Sequence, residues 1–316
     1  MTHRAAIIGE TGRGNYGHGL DVALVGLPDV EIVAVADPDT DGRVAAQVRT
    51  GALAAYADYR EMLERERPTL VVVAPRWLGR RVEMVAAAAA IGAHVFVEKP
   101  LASSLAEADA MLDACARAGV LTCVAHQTCM HPSVLHALRL LKEGAIGRPR
   151  LIRGYGKMDH RGGGQDFMVL GTHVLDLMRL FGDDAAWASG DLLVGSRLAT
   201  PSDVREGDEE IGPIAGDGLR ASYGFEHGVL GTFESFAGMG GPDDPMGIDL
   251  IGDSGQLALR GGFTKRLLRY PHPYVWHGAE GDAWEPVPVP TAGPGEVPGG
   301  DPPPPVELTR RANQRL

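Results

Sequence analysis

The first 125 residues alternate between short apolar runs and stretches with helical spacing of apolar residues. That alternation limits the fold more than any other feature of the chain. Strands are predicted at Ala5–Ile8, Glu31–Ala36, Leu70–Ala74, His94–Val97 and Val120–Ala125, and helices at Leu20–Leu27, Asp41–Leu53, Arg81–Ile91 and Ser104–Ala118. Val71, Val72 and Val73 are β-branched throughout, as suits a strand buried on both faces. Strands that alternate with helices at this spacing predict a doubly wound α/β layer, a parallel sheet covered on both sides.

From Pro149 the pattern changes. Arg150–Gly156, Leu219–Phe225, Leu230–Phe236, Ile248–Gly252, Leu257–Arg260 and Leu267–Tyr270 are short strand-like segments, with Glu226-His227-Gly228 as a hairpin turn. Only one principal helix is predicted among them, Met168–Leu180. The expectation is therefore a nucleotide-binding domain over 1–125 and a substrate and oligomerisation domain over 126–316. The second domain should be an α+β unit with an open-faced, mostly antiparallel sheet that pairs copies into a homodimer or homotetramer. Pro286–Pro305 is rich enough in Pro and Gly to be read as an extended arm.

A net charge of −11 disfavours nucleic acid and anionic membranes as partners. The apolar start at Ala5–Ile8 is too short for a leader or a membrane span, so the expected location is cytoplasmic. Cys115, Cys123 and Cys129 form neither an even framework nor a metal-ligand spacing, so reduced thiols and no metal are expected.

Gly12-Arg13-Gly14-Asn15-Tyr16-Gly17 fits G-x-G-x-x-G, with Gly9 at the strand end before it. Glycines let a backbone approach a diphosphate, and a helix N-terminus behind them would supply N–H groups and partial positive charge. Asp37, twenty residues past Gly17, is placed to accept ribose hydroxyls and to repel a 2′-phosphate, which favours NAD over NADP. A turn with no nucleotide role is the alternative. Val95-Phe96-Val97 then runs into Glu98-Lys99-Pro100. An ammonium at the end of a buried strand loses hydration, and its pKa falls toward the range of proton exchange; a solvated strand end is the alternative reading of Glu98 and Lys99. Asp166, Leu170 and His173 share one face of a regular helix, and a carboxylate, a histidine and a lysine together suit proton movement from an alcohol during hydride transfer. Asp176 is expected to pair with Arg179 or the local backbone.

These motifs resemble the glucose-fructose oxidoreductase, inositol dehydrogenase and rhizopine-catabolism (Gfo/Idh/MocA) family. The resemblance rests on the glycine loop with Asp37, on Glu98-Lys99-Pro100-Leu101, and on Gly171-Thr172-His173-Val174-Leu175-Asp176. It implies a Rossmann domain, an open-sheet domain, NAD or NADP, and reversible oxidation of a secondary alcohol on a sugar or cyclitol. It also implies Lys99 as proton relay, His173 beside the reacting hydroxyl, and a cis peptide before Pro100. Cofactor contacts are expected from Gly9, Thr11, Gly12, Arg13, Gly14, Asp37, Ala74, Pro75, Trp77, Glu98, Lys99 and Gln127. The chain departs from the family at Val169, where an aspartate usually stands, which leaves Asp166 as the replacement carboxylate. At His126-Gln127-Thr128-Cys129 the family's usual arginines are missing, and the sequence stops at Leu316 within an expected helix start, as a truncated form would. Two further readings follow from these departures: glycoside cleavage by transient oxidation and elimination, and a nucleotide-binding subunit without turnover.

Overall fold

Parallel pairing in the first half follows from strands too apolar to face water on either side. In the computed structural model, which describes residues 2–240, 246–262, 266–274, 283–289, 310–311 and 313–315, the chain divides into two units. The first comprises 1–125, 206–212 and 309–316, and the second 126–205 and 213–308. Two short segments expected with the second half thus pack with the first.

The first unit contains β1 (His3–Ile8), β2 (Val30–Ala36), α1 (Thr40–Thr50), β3 (Ala54–Tyr56), α2 (Tyr59–Glu66), β4 (Leu70–Val73), α3 (Arg81–Ala90), β5 (His94–Val97), α4 (Leu105–Ala118) and β6 (Thr122–Val124). Its six strands pair in the order β3-β2-β1-β4-β5-β6, all parallel. Helix ends carry the expected punctuation: Asp39 and Ser104 cap α1 and α4, and Gly51 and Gly119 close them at φ 70° and 68°.

The helix expected at Leu20–Leu27 is not there. Residues 16–26 form successive turns, with the N–H groups of Ala23, Val25 and Leu27 donating three residues back at 3.2, 3.2 and 3.4 Å. Gly17, Gly19 and Gly26 take positive φ (61°, 77°, 82°), which interrupts α-helical winding. Leu20, Ala23 and Leu24 are nonetheless buried. Their apolar spacing encodes a buried face, and the chain builds that face from turns rather than from a regular helix.

The second unit contains α5 (Pro132–Lys142), β7 (Pro149–Tyr155), α6 (Gly164–Asp166), a π-helical turn (Phe167–Gly171), α7 (Thr172–Gly182), β8 (Ala185–Val194) and β9 (Arg197–Leu198). After a separate two-stranded ladder of β10 (Arg205–Glu206) and β11 (Pro213–Ile214) come β12 (Gly218–Phe225), β13 (Leu230–Phe236), β14 (Gly247–Gly252), β15 (Gln256–Arg260), β16 (Arg266–Tyr270) and β17 (Glu285–Pro286). Nine strands form one sheet in the order β17-β16-β15-β14-β7-β13-β12-β8-β9, antiparallel apart from β13 on β7. His227 and Gly228 turn the β12–β13 hairpin at φ 60° and 77°. Ile152, Phe233 and Leu250 point into a core shared with Val174, Leu177 and Met178 of α7. A polar row on the sheet includes Arg153, Thr232, Glu234, Arg220 and Asp191, with Arg220 donating to Asp191 at 3.1 Å.

The unit has a second substantial helix, α5, which the sequence reading missed, as it missed β8. The segment expected as one regular helix over Met168–Leu180 instead begins at Gly164 and contains the π turn. Most of the Pro/Gly arm, from residue 290 on, lies outside the described residues. No helix among the described residues is long and apolar enough to cross a membrane, and no metal-holding cluster occurs among them. Cys115, Cys123 and Cys129 form no disulfide among the described residues.

Candidate functional site

Parallel register lines up the carboxyl ends of four strands. The N–H of Gly9 donates to Ala36 O (2.8 Å), that of Ala74 to Ile8 O (3.0 Å) and that of Glu98 to Val73 O (2.9 Å). The glycine loop, Asp37, Ala74-Pro75 and Glu98-Lys99 therefore sit side by side, at the point where strand order reverses between β1 and β4.

Glu98 is fully buried. Burial opposes its ionisation, but the His18 ring (Nδ1 at 3.1 Å), the charge of Lys99 and the His18 N–H (2.9 Å) outweigh it and hold the carboxyl below its ordinary range; the Lys99 N–H also donates to it at 3.0 Å. Gly17 is required beside it, since a Cβ there would stand 2.2 Å from Glu98 Oε2. Lys99 is 2% exposed, and the peptide between it and Pro100 is cis. Burial pulls its ammonium below the ordinary lysine range against the charges of Glu98 and Glu209, helped by Arg76 and Arg81.

Arg81 fixes this corner. Its buried guanidinium donates to the carbonyls of Glu98, Pro100 and Pro75, and to that of Arg76 at 3.2 Å. Burial lowers its pKa to about 10, against the charges of Glu98 and Glu209. From sequence it is one arginine at the start of a helix, with no sign that it clamps two loops.

Asp37 is buried, and its carboxylate accepts from Thr11 N–H (3.2 and 3.1 Å), Thr11 Oγ1 (2.7 Å) and Asp39 N–H (2.9 Å). The ring of Tyr16 lies against Gly9, where a Cβ would come within 2.2 Å of it. Gly14 packs on the backbone of Arg76 and Trp77, whereas a Cβ on Gly12 would meet nothing within 4 Å. No regular helix starts behind this loop, so the expected row of helix N–H groups is replaced by other anion donors. The Arg13 guanidinium lies 5.1 Å over the Trp77 ring and reaches Glu210, which also accepts the Gly79 N–H at 3.0 Å. Glu209 stands 3.8 Å from Arg76. Glu209 and Glu210 come from 206–212, and no local signal ties them to the glycine loop.

The residue set fits a dinucleotide. Asp37 directly follows β2, Arg13 and the Gly79 N–H are anion donors, and Gly12 leaves backbone open to approach.

The second unit holds the other candidates. His173 is buried, with Nδ1 3.3 Å from Thr128 Oγ1 and its ring 5.7 Å from that of His126 in an edge-to-face arrangement. His126 Nδ1 stands 3.6 Å from Asp176 Oδ1, while Arg179 pairs with Asp184 at 2.6 Å. The expected Asp176–Arg179 pair is therefore replaced by one with His126. Burial raises the Asp176 carboxyl above its ordinary range, against the opposing effect of His126.

Asp166 points elsewhere. Its Oδ2 accepts from the Ser235 hydroxyl (2.5 Å) and the Met158 N–H (3.4 Å), and burial raises its pKa despite both. The π turn between Asp166 and His173 inserts extra residues per turn and breaks the shared face predicted from regular spacing. Gln127 is 1% exposed, and neither end of its carboxamide has a hydrogen-bond partner among the described residues. Val169 is a buried core residue.

A parallel sheet ordered β3-β2-β1-β4-β5-β6 with a glycine loop at its switch point defines a dinucleotide-binding domain. Residues 3–126 match the profile of the GFO_IDH_MocA family, an oxidoreductase family with an NAD-binding Rossmann fold. Over these residues the chain is similar to the Gfo/Idh/MocA family.

D-apiose dehydrogenase of Paraburkholderia graminis is 34% identical over 188 residues, 55% of this chain and 49% of that protein. Levoglucosan dehydrogenase of Pseudarthrobacter phenanthrenivorans is 26% identical over 258 residues, 74% of this chain and 65% of that protein. The chain thus spans about half to two thirds of the length of these relatives. A solved levoglucosan dehydrogenase in complex with NADH and levoglucosan superposes with a TM-score of 0.75 at 21% identity, covering 99% of this chain and 88% of that one. An NAD binding oxidoreductase from Klebsiella pneumoniae gives 0.74 at 21% identity, covering 98% and 87%. These two likenesses establish the fold.

Proposed function

We propose that this chain is a nicotinamide-dinucleotide-dependent oxidoreductase acting on a secondary alcohol of a sugar, cyclitol or related polyhydroxylated ring, with NAD preferred over NADP. The observation that carries the reading is Lys99: a buried lysine, its pKa lowered, at the end of β5 beside a glycine loop. The relatives named D-apiose, levoglucosan and myo-inositol 2-dehydrogenase support the substrate class.

When bound, the dinucleotide supplies the hydride acceptor. Lys99 takes the alcohol proton, a task its lowered pKa suits. His173 orients the hydroxyl, held in its turn by Thr128. Gln127 offers an unpaired amide to a ligand, while Asp166, turned to Ser235, is left out of the proton path. Asp37 favours NAD, because a second anion beside a buried carboxylate is repelled. The polar row on the open sheet is the proposed pairing surface between copies, and light scattering of the purified chain tests it.

The deciding experiment follows nicotinamide absorbance over a sugar and cyclitol panel. Lys99→Met should lower turnover by about 10²–10⁴-fold while still binding NADH. Full turnover in that variant overturns the reading. A second reading, in which the hydride returns and a glycosidic group is eliminated, is favoured by Val169 and by a relative named 2,7-anhydro-N-acetylneuraminate hydratase, 31% identical over 138 residues. Glycoside cleavage without net NADH would select it.

A further inference from the structure

We propose that the dinucleotide site of the first unit is closed by two of its own residues, Glu210 in place of a phosphate and Thr11 in place of ribose hydroxyls, and that a dinucleotide enters by displacing them. This rests on the reading that the unit binds a nicotinamide dinucleotide.

Glu210 bridges two loops that flank such a site. One carboxylate oxygen takes the Arg13 guanidinium from the glycine loop, and the other takes the Gly79 N–H, at 3.0 Å, from the loop after β4. A guanidinium with a backbone N–H is the donor set that phosphate oxygens seek. Thr11 offers Asp37 an N–H and a hydroxyl from one residue, much as a ribose offers two hydroxyls. With Asp39 N–H on the same carboxylate, little acceptor capacity is left.

Both occupants are built to leave. Glu209 and Glu210 take φ of 61° and 58°, a left-handed conformation that costs a side-chain-bearing residue energy, and the contacts of 206–212 hold it there. Those contacts include Leu78 N–H on Glu209 O at 3.2 Å and the Arg76–Glu209 pair at 3.8 Å. Thr11 is exposed and is followed by Gly12, which has φ 83° and open space at its Cβ position. Gly42 accommodates the closed position, since a Cβ there would lie 2.0 Å from Thr11 Oγ1. Displacement exchanges hydrogen bonds one for one, so the apparent affinity is set by the fraction of molecules already open.

The test titrates NADH calorimetrically into the full-length wild type, Glu210→Gln and Glu210→Ala, and follows amide exchange of the wild type with and without NADH. Both variants should bind NADH tighter, Glu210→Ala by about 10-fold, and NADH should speed exchange across 206–212. Equal or weaker affinity in the variants, or slower exchange across 206–212 with NADH, overturns the closure while leaving the cofactor reading intact. Failure of all three proteins to bind NADH overturns both. Should Glu210→Ala not fold, Glu210→Gln and the wild-type exchange experiment decide.

Discussion

In the first unit, the buried carboxylates of Asp37 and Glu98 accept hydrogen bonds from the chain itself, and Arg81 donates to four backbone carbonyls. In the second, the carboxamide of Gln127 and one oxygen of Asp166 are buried without a hydrogen-bond partner among the described residues. An unmade buried hydrogen bond costs more than a made one contributes. Asp37, Glu98 and Arg81 are thus put to work holding loops, and a ligand at Asp37 must exchange partners. Gln127 and Asp166 carry a stability cost that a polar ligand would relieve.

The largest effect expected from this contrast is at Arg81. Arg81→Met keeps most of the side-chain volume but leaves the carbonyls of Pro75, Arg76, Glu98 and Pro100 without their donor, and should lower unfolding free energy by about 3–5 kcal/mol. Urea denaturation measures it, and a loss below about 1 kcal/mol would break the view of Arg81 as a clamp. Gln127→Met should act in the opposite direction. Replacing an unpaired buried amide with an apolar side chain of similar size should stabilise the fold by about 1 kcal/mol and weaken substrate binding in the steady-state KM. Destabilisation would mean that the carboxamide already holds the native structure.

The smallest effect sharpens the contrast through pH. Asp166 has a raised folded-state pKa, so the folded protein keeps a proton that the unfolded chain releases, and stability falls as pH rises through the ordinary aspartate range toward the folded value. Glu98 has a lowered one, so its contribution is present above the ordinary glutamate range and is lost as pH falls through the folded value. In denaturation series from acid to neutral pH, wild type should lose stability relative to Asp166→Asn as pH rises and relative to Glu98→Gln as pH falls. Parallel curves for both variants would remove the electrostatic part of the comparison.

Strands of the parallel sheet were legible because their apolar runs are continuous, as at Leu70–Val73 and His94–Val97, and a strand buried on both faces needs little else. The β12–β13 hairpin was legible from alternating apolar residues around His227-Gly228. Segment 20–27 was half legible: Leu20, Ala23 and Leu24 are buried as their spacing requires, but the chain winds there as turns, with Gly26 at positive φ near the end. Strand β8 escaped notice because Ala185-Ala-Trp-Ala-Ser-Gly has neither alternation nor β-branching, and its pairing with β12 supplies what its own sequence lacks.

By itself the sequence determined the parallel sheet and the glycine loop at its switch point, because each follows from local apolar pattern and chain punctuation. Tertiary structure alone decided which groups those residues meet. It brought His18 to Glu98, Arg81 to the carbonyls around Pro100, and Glu210 to Arg13 across 197 positions of chain. It also directed Asp166 to Ser235, His173 to Thr128 and Asp176 to His126. Hydrogen bonds and ion pairs act over a few ångströms in space whatever the separation in sequence, so periodicity can assign a residue to a face but cannot name its partner.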